Sequence, residues 1–142
     1  MHCSPLCSSQ RTRRGVAAVE FALLLPFICF AFVAAVDFAR VVYFSIAVNN
    51  CARNGALYGS ANQTQAVNSS GITAAAQQDA INLDTSQMNV SSSTDSSTSP
   101  TWVQVTVTYP FTTITKYPGI PSQLNLSRTV QMSVVPPTPQ FN

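Results

Sequence analysis

Val16 to Val36 reads VAAVEFALLLPFICFAFVAAV, 21 residues that carry a single charge, Glu20. At about 1.5 Å of helical rise per residue the stretch reaches roughly 32 Å, enough to cross the hydrocarbon core of a bilayer. Arg11, Arg13 and Arg14 precede it, and Asp37 and Arg40 balance one another beyond its far end. Basic flanks stay on the cytoplasmic side, so residues 1–15 are expected inside and the rest outside. A cleaved secretory signal has a shorter apolar core, about 7–15 residues. The nearest small-residue cleavage site, Ala34-Ala35-Val36, lies in a pattern that continues as helix.

No proline interrupts 37–59, where Phe38, Val41, Ser45, Val48, Ala52 and Ala56 recur at spacings of three and four. Such spacing lines one face of a helix. One helix is therefore expected from Val16 to Leu57, with Gly59 as a left-handed cap at its end. Pro26 is expected to bend it, because proline lacks the backbone donor and crowds the preceding turn. The alanine-rich run Ile72–Leu83 suits a second helix, and Thr85–Pro100, dominated by Ser and Thr, reads as a flexible loop.

Trp102–Phe111 alternates, with Val103, Val105, Val107 and Tyr109 on one face, as a half-buried strand limited by Pro110 does. Thr112–Tyr117 is expected to pair as another strand before a turn at Tyr117-Pro118-Gly119. Leu124–Val135 follows as a further strand, with Leu124, Leu126, Val130, Met132 and Val134 apolar. The expected fold class is α+β: a long N-terminal transmembrane and amphipathic helix, a short helix and a small antiparallel sheet. The implied organisation is a cytoplasmic leader at 1–15, a transmembrane helix at 16–36, its continuation at 37–59, and a small variable extracytoplasmic domain at 60–142.

Composition narrows the function classes. Charged residues make up 8% of the chain, against about 25% in ordinary globular proteins. Beyond the leader, Arg40, Arg53, Lys116 and Arg128 stand against Glu20, Asp37, Asp79, Asp84 and Asp95. A near-neutral body of this kind offers nucleic acid no footprint. Cys3, Cys7, Cys29 and Cys51 all precede residue 52, so no disulfide framework is expected in the outer domain. The one histidine, His2, lies in the leader, and the carboxylates are scattered. No catalytic set, metal site or cofactor is expected. Four Asn-x-Ser/Thr matches, at Asn62, Asn68, Asn89 and Asn125, are what chance gives in so Asn- and Ser-rich a chain.

The residue that does not belong is Glu20, a carboxylate inside an apolar helix. A charge at mid-bilayer costs at least a few kcal/mol, less toward the edge, and so asks for a partner. If a peptidase cut after Gly15, the new α-amino group of Val16 would supply one. Glu20 of one subunit would then pair with the Val16 amine of a neighbour, compensating both charges on assembly.

The segment Arg13–Gly59 resembles a known family. A short basic leader ending in glycine, a glutamate at the fifth mature position and an apolar helix mark type IV pilin-like precursors. RRGVAAVEFALLLPF, then VDFAR, then NCARNGALYG, resembles more narrowly the TadE-like pseudopilins of tight-adherence pilus systems. Cys51 departs from the small residues usual there but is itself small. The resemblance implies a non-enzymatic minor subunit, because major pilins of these systems are very short. It makes Arg13 and Arg14 leader residues, Gly15 and Val16 the processing site, Glu20 the assembly residue, and Pro26 the helix-kink position. Asp37, Arg40, Arg53 and Gly55 are its other helix-motif residues. The implied partners are a prepilin peptidase, other pilin or pseudopilin subunits and an inner-membrane assembly platform. The implied location is the bacterial inner membrane, single-pass and N-in/C-out, with the mature domain in the periplasm or in an extracellular pilus. Two rival readings are an uncleaved, signal-anchored binding module and a type II secretion pseudopilin. The latter usually begins its mature chain with Phe-Thr-Leu, which Val16-Ala17-Ala18 does not match.

Overall fold

The computed structural model describes residues 11–95, 97, 101–114 and 122–136, the first four as backbone only. One helix, α1, runs from Arg11 to Ser60, 50 residues, about 75 Å of axis. It passes as helix through both Gly15 and Pro26. The proline ring leaves the Ala22 carbonyl without its intrahelical donor.

Two short helices follow, α2 (Gln63–Ala66) and α3 (Ser69–Gln78), each begun by an asparagine side chain. Asn62 accepts from the Gln65 N–H at 2.8 Å, and Asn68 accepts from the Gly71 N–H at 3.0 Å. Such caps satisfy donors that the first helical turn leaves free. The expected helix at Ile72–Leu83 thus begins earlier and stops at Gln78. Beyond it the chain turns, with Asn82 at φ 79°, in the left-handed region that asparagine tolerates. Asp79 and Asp84 consequently do not share a helix.

Three antiparallel strands, β1 (Asn89–Asp95), β2 (Trp102–Thr112) and β3 (Gln123–Ser133), form a sheet in the order β1-β2-β3. The flexible loop expected over Thr85–Pro100 is corrected here, because its NVSSSTD segment is β1. That segment pairs Asn89 with Thr108 through to Asp95 with Trp102. Side-chain apolarity is not what orders it. Its backbone completes the free edge of β2, and its half-buried Val90, Ser92 and Thr94 alternate inward. A polar edge strand also discourages pairing with stray strands. Thr112 ends β2, Thr113 and Ile114 are not strand, and the remainder of the expected Thr112–Tyr117 strand and its turn lie outside the described residues.

The sheet lays one face on the outer half of α1. Val103, Val105 and Val107 of β2 are fully buried there with Val48, Cys51, Ala52 and Ala56 of α1 and Ile72 and Ala76 of α3. Each fully buried Val or Ile contributes about 1.5–3 kcal/mol by leaving water. The opposite sheet face is hydroxylated: the Thr106 and Thr129 hydroxyls meet at 2.8 Å, and Thr108 donates to Ser127 at 3.3 Å. Gly55 and Gly59 allow the close approach of helix and sheet. A Cβ at Gly59 would meet Val103 Cγ2 at 3.0 Å. Gly59 is therefore a packing residue within α1 and not the left-handed cap that the sequence suggested. Phe38, expected on the buried stripe, is 71% exposed.

Candidate functional site

The inner half of α1 is exposed along its length. An 18-residue window within it has a mean hydropathy of 2.5 and no buried residue. Among the described residues this is the one helix long and apolar enough to cross a membrane. Val16, Phe21, Leu23, Phe27, Phe30 and Phe32 are all exposed around it. Gly15 has no atom within 4 Å of where a Cβ would lie, so no packing requires a glycine there. Glu20 projects from this apolar column, and no ion pair reaches it among the described residues. The side chains of Arg13 and Arg14 lie outside the described residues. Gly15, Val16 and Glu20 share one exposed end of α1, and Pro26 follows about a turn and a half beyond Glu20.

A second cluster forms where the expected span ends. Asp37 is only 7% exposed, and its Oδ1 accepts the backbone N–H of Ile114 at 3.2 Å. The Arg40 guanidinium donates to the same oxygen at 3.4 Å, the i to i+3 pairing that the helix spacing suggests. Arg40 also lies over the rings of Phe111, at 5.1 Å, and Phe44, at 6.0 Å. Phe44 in turn stacks on Tyr109, with ring centroids 6.0 Å apart and planes 7° from parallel. The pair that balances beyond the far end of the span thus also ties the helix to the end of β2. Ile114 and the aromatic group were not legible in the sequence, since they join the helix only across some 70 residues of chain.

Gly55 and Arg53 diverge. Gly55 packs inward, where an added Cβ would meet Val105, Ala76 and Ile72 at 3.2–3.3 Å, while Arg53 points to solvent. Sequence reasoning also missed Arg128. It lies on the inward-facing parity of β3, opposite Val107, and hydrogen-bonds the Ser45 hydroxyl of α1.

Reactive chemistry is sparse. Among the described residues no group of three or more His, Cys, Asp or Glu could hold a metal ion. Cys51 is buried and unbridged, and burial, helped by the nearby Asp79 charge, raises its thiol pKa. Asp84 is held below the usual carboxylate value by the Ser86 hydroxyl at 2.7 Å, the Ser86 N–H at 3.0 Å and the Gln87 amide at 3.0 Å. These are local turn contacts in an exposed loop.

Comparison with known proteins agrees with the geometry over one segment. A family model described as TadE-like protein matches residues 15–57. No curated protein and no solved structure matches the chain. The match begins at the uncontacted glycine and ends three residues before α1 does, so it coincides with the exposed apolar column and its continuation into the core. Over this segment, which holds Glu20, Pro26, Asp37, Arg40, Arg53 and Gly55, the chain is similar to TadE-like proteins.

Proposed function

We propose that this chain is a minor pilin-like subunit that takes part in assembling a tight-adherence pilus for surface attachment. In this reading the precursor is held by α1 in the bacterial inner membrane with residues 1–15 inside. A prepilin peptidase cuts between Gly15 and Val16, and the mature subunit joins other pilin or pseudopilin subunits at an inner-membrane assembly platform. The observation that carries the reading is Glu20, one carboxylate on an uncovered apolar helix, five residues past Gly15. In hydrocarbon it is costly alone, and a neighbour's Val16 α-amine is a partner that exists only after the cut.

Two further features support the reading. Ala17, Ala18, Ala22, Ala34 and Ala35 lie along the span, and small residues let helices approach closely in lipid. The outer half of α1 is also a core element of the domain, so the helix transmits position from membrane to domain as one rigid rod. An anchored binding module would not need that continuity.

Mass spectrometry of the mature N-terminus, from cells with and without a prepilin peptidase, is the test. The expected result is a chain beginning at Val16 only where the peptidase is present. A chain that keeps Met1, or begins near Asp37, sinks the proposal. Glu20→Gln is expected to insert and be cut but to be lost from pili; unchanged piliation would remove the charge-pairing mechanism.

A further inference from the structure

Asp37 marks the end of the apolar span in the sequence, yet its carboxylate is covered by the Ile114 N–H and the Arg40 guanidinium. A charge shielded in this way does not oppose lipid around the helix. Beyond it, Phe38 and Val42 remain 71% and 43% exposed. With Val41 they line the near end of an open groove of about 590 Å³ beside α1, within the size range of single-ligand sites. Ser45, Asn49 and Arg128 line its far end, with Ile46 between. The Arg128 guanidinium, reaching across from β3, donates to the Ser45 hydroxyl. Among the described residues no carboxylate pairs with it. Along the helix axis the groove thus runs from apolar on the side of the span to hydroxyl, amide and cation away from it.

We infer that this groove seats a phospholipid of the outer leaflet, with an acyl chain along Phe38, Val41 and Val42 and the phosphate against Arg128, Ser45 and Asn49. The polarity order is the lipid's own, tail toward the span. A guanidinium with donors to spare, beside a hydroxyl and an amide, is suited to a phosphodiester. A protein partner would not require that order. The inference rests on α1 spanning a membrane, as proposed above, and it fixes the depth of a subunit not yet assembled. Counted from Glu20, about 30 Å of hydrocarbon ends near Arg40. The headgroup zone adds about 5–7 Å, and Ser45 lies about 7 Å past Arg40 along the axis. Tyr43, also exposed, falls in the same zone, where its amphipathic ring is favoured. At this depth the unpaired Glu20 of a free subunit stands at the opposite edge of the hydrocarbon, where its charge costs least. The near side of the outer domain is therefore seated among the headgroups and not held clear of them.

The full chain with its four native cysteines replaced by alanine, in vesicles of phosphatidylethanolamine and phosphatidylglycerol, tests the depth. Spin labels on Ala31→Cys, Phe38→Cys, Val42→Cys and Asn49→Cys, one at a time, are read by collision with oxygen, which favours hydrocarbon, and with a water-soluble nickel chelate. Oxygen is expected to dominate at Ala31, Phe38 and Val42, and the chelate at Asn49. Native mass spectrometry of the unaltered full chain with added phosphatidylglycerol tests the seat. Arg128→Gln should lower the retained lipid about tenfold, as loss of a charge-assisted contact allows. Arg128→Lys should hold it to within about threefold, since a point charge remains, and diacylglycerol, which lacks the phosphate, should not be retained. Diacylglycerol held as well as phosphatidylglycerol, or an Arg128→Gln chain indistinguishable from the unaltered one, overturns the inference. Chelate access at Phe38 and Val42 with oxygen dominant at Ala31 also overturns it and leaves the span standing. Chelate access at Ala31 as well removes both.

Discussion

Removing the Asp37 carboxylate should detach the end of β2 from the helix. Its Oδ1 holds the Ile114 N–H at 3.2 Å, the long end of the normal range. A hydrogen bond to a charged acceptor contributes about 1.5–3 kcal/mol net, so this one belongs near the lower figure. The Arg40 pair adds little: its side chain is 35% exposed and the separation is 3.4 Å, and exposed pairs contribute under about 1 kcal/mol. Ile114 is itself 66% exposed, so water that reaches its freed N–H limits the penalty. Asp37→Ala should therefore cost about 1.5 kcal/mol, which lowers Tm by roughly 6–12 °C for a domain near 100 residues. Asp37→Asn keeps an acceptor oxygen and should recover more than half of this. Near-UV circular dichroism of the full chain in detergent reads the stability, and hydrogen exchange reads the place. Protection should fall at Thr113 and Ile114 and hold at Val103–Val107. A loss below about 0.5 kcal/mol, an Asn variant as damaging as Ala, or exchange raised evenly across the sheet would refute the reasoning.

Gly55→Val should destabilise by about 2 kcal/mol in a thermal melt, because three neighbours already stand 3.2–3.3 Å from the added Cβ and overpacking costs about 1–3 kcal/mol. Gly15→Ala, with nothing within 4 Å, should leave that melt unchanged and alter only the cut. Cys51 should resist thiol reagents until the protein unfolds, as labelling followed by mass spectrometry would read. Since burial raises its pKa, the folded state holds the proton after the unfolded chain has lost it. Stability should then be flat below the ordinary thiol value and fall as pH rises from there toward the raised one. Asp84 has the opposite sign: its depressed pKa contributes stability present above the ordinary carboxylate value and lost as pH falls through the lowered one. Ser86→Ala should move its NMR titration midpoint back upward.

The inner half of α1 was fully legible in the sequence, as was the alternation of β2 and β3. Both patterns arise from local geometry: a bilayer requires an uninterrupted apolar run, and a half-buried strand requires period two. Glu20 also stood out there, because its neighbours in sequence are its neighbours on the helix. The stripe Val41, Ser45, Val48, Ala52 and Ala56 named the core face of α1, but Phe38 departs from it. Phe38 stands at the edge of that stripe, and no described strand covers it.

What only tertiary structure decided came from groups brought together across the chain. NVSSSTD has no apolar pattern to announce a strand, and it becomes β1 because β2 offers an unpaired edge. Asp37 reads as a solvated membrane-edge charge until the Ile114 amide closes over it. Gly59 looks like a helix stop until Val103 is placed 3.0 Å from its missing side chain. Arg128 is one cation in a polar strand until register turns it toward Ser45. The sequence by itself determined that this chain is a helix for a membrane, since the solvent there is uniform and composition suffices. Which flank of that helix faces the sheet depended on packing partners that lie up to about 80 residues away.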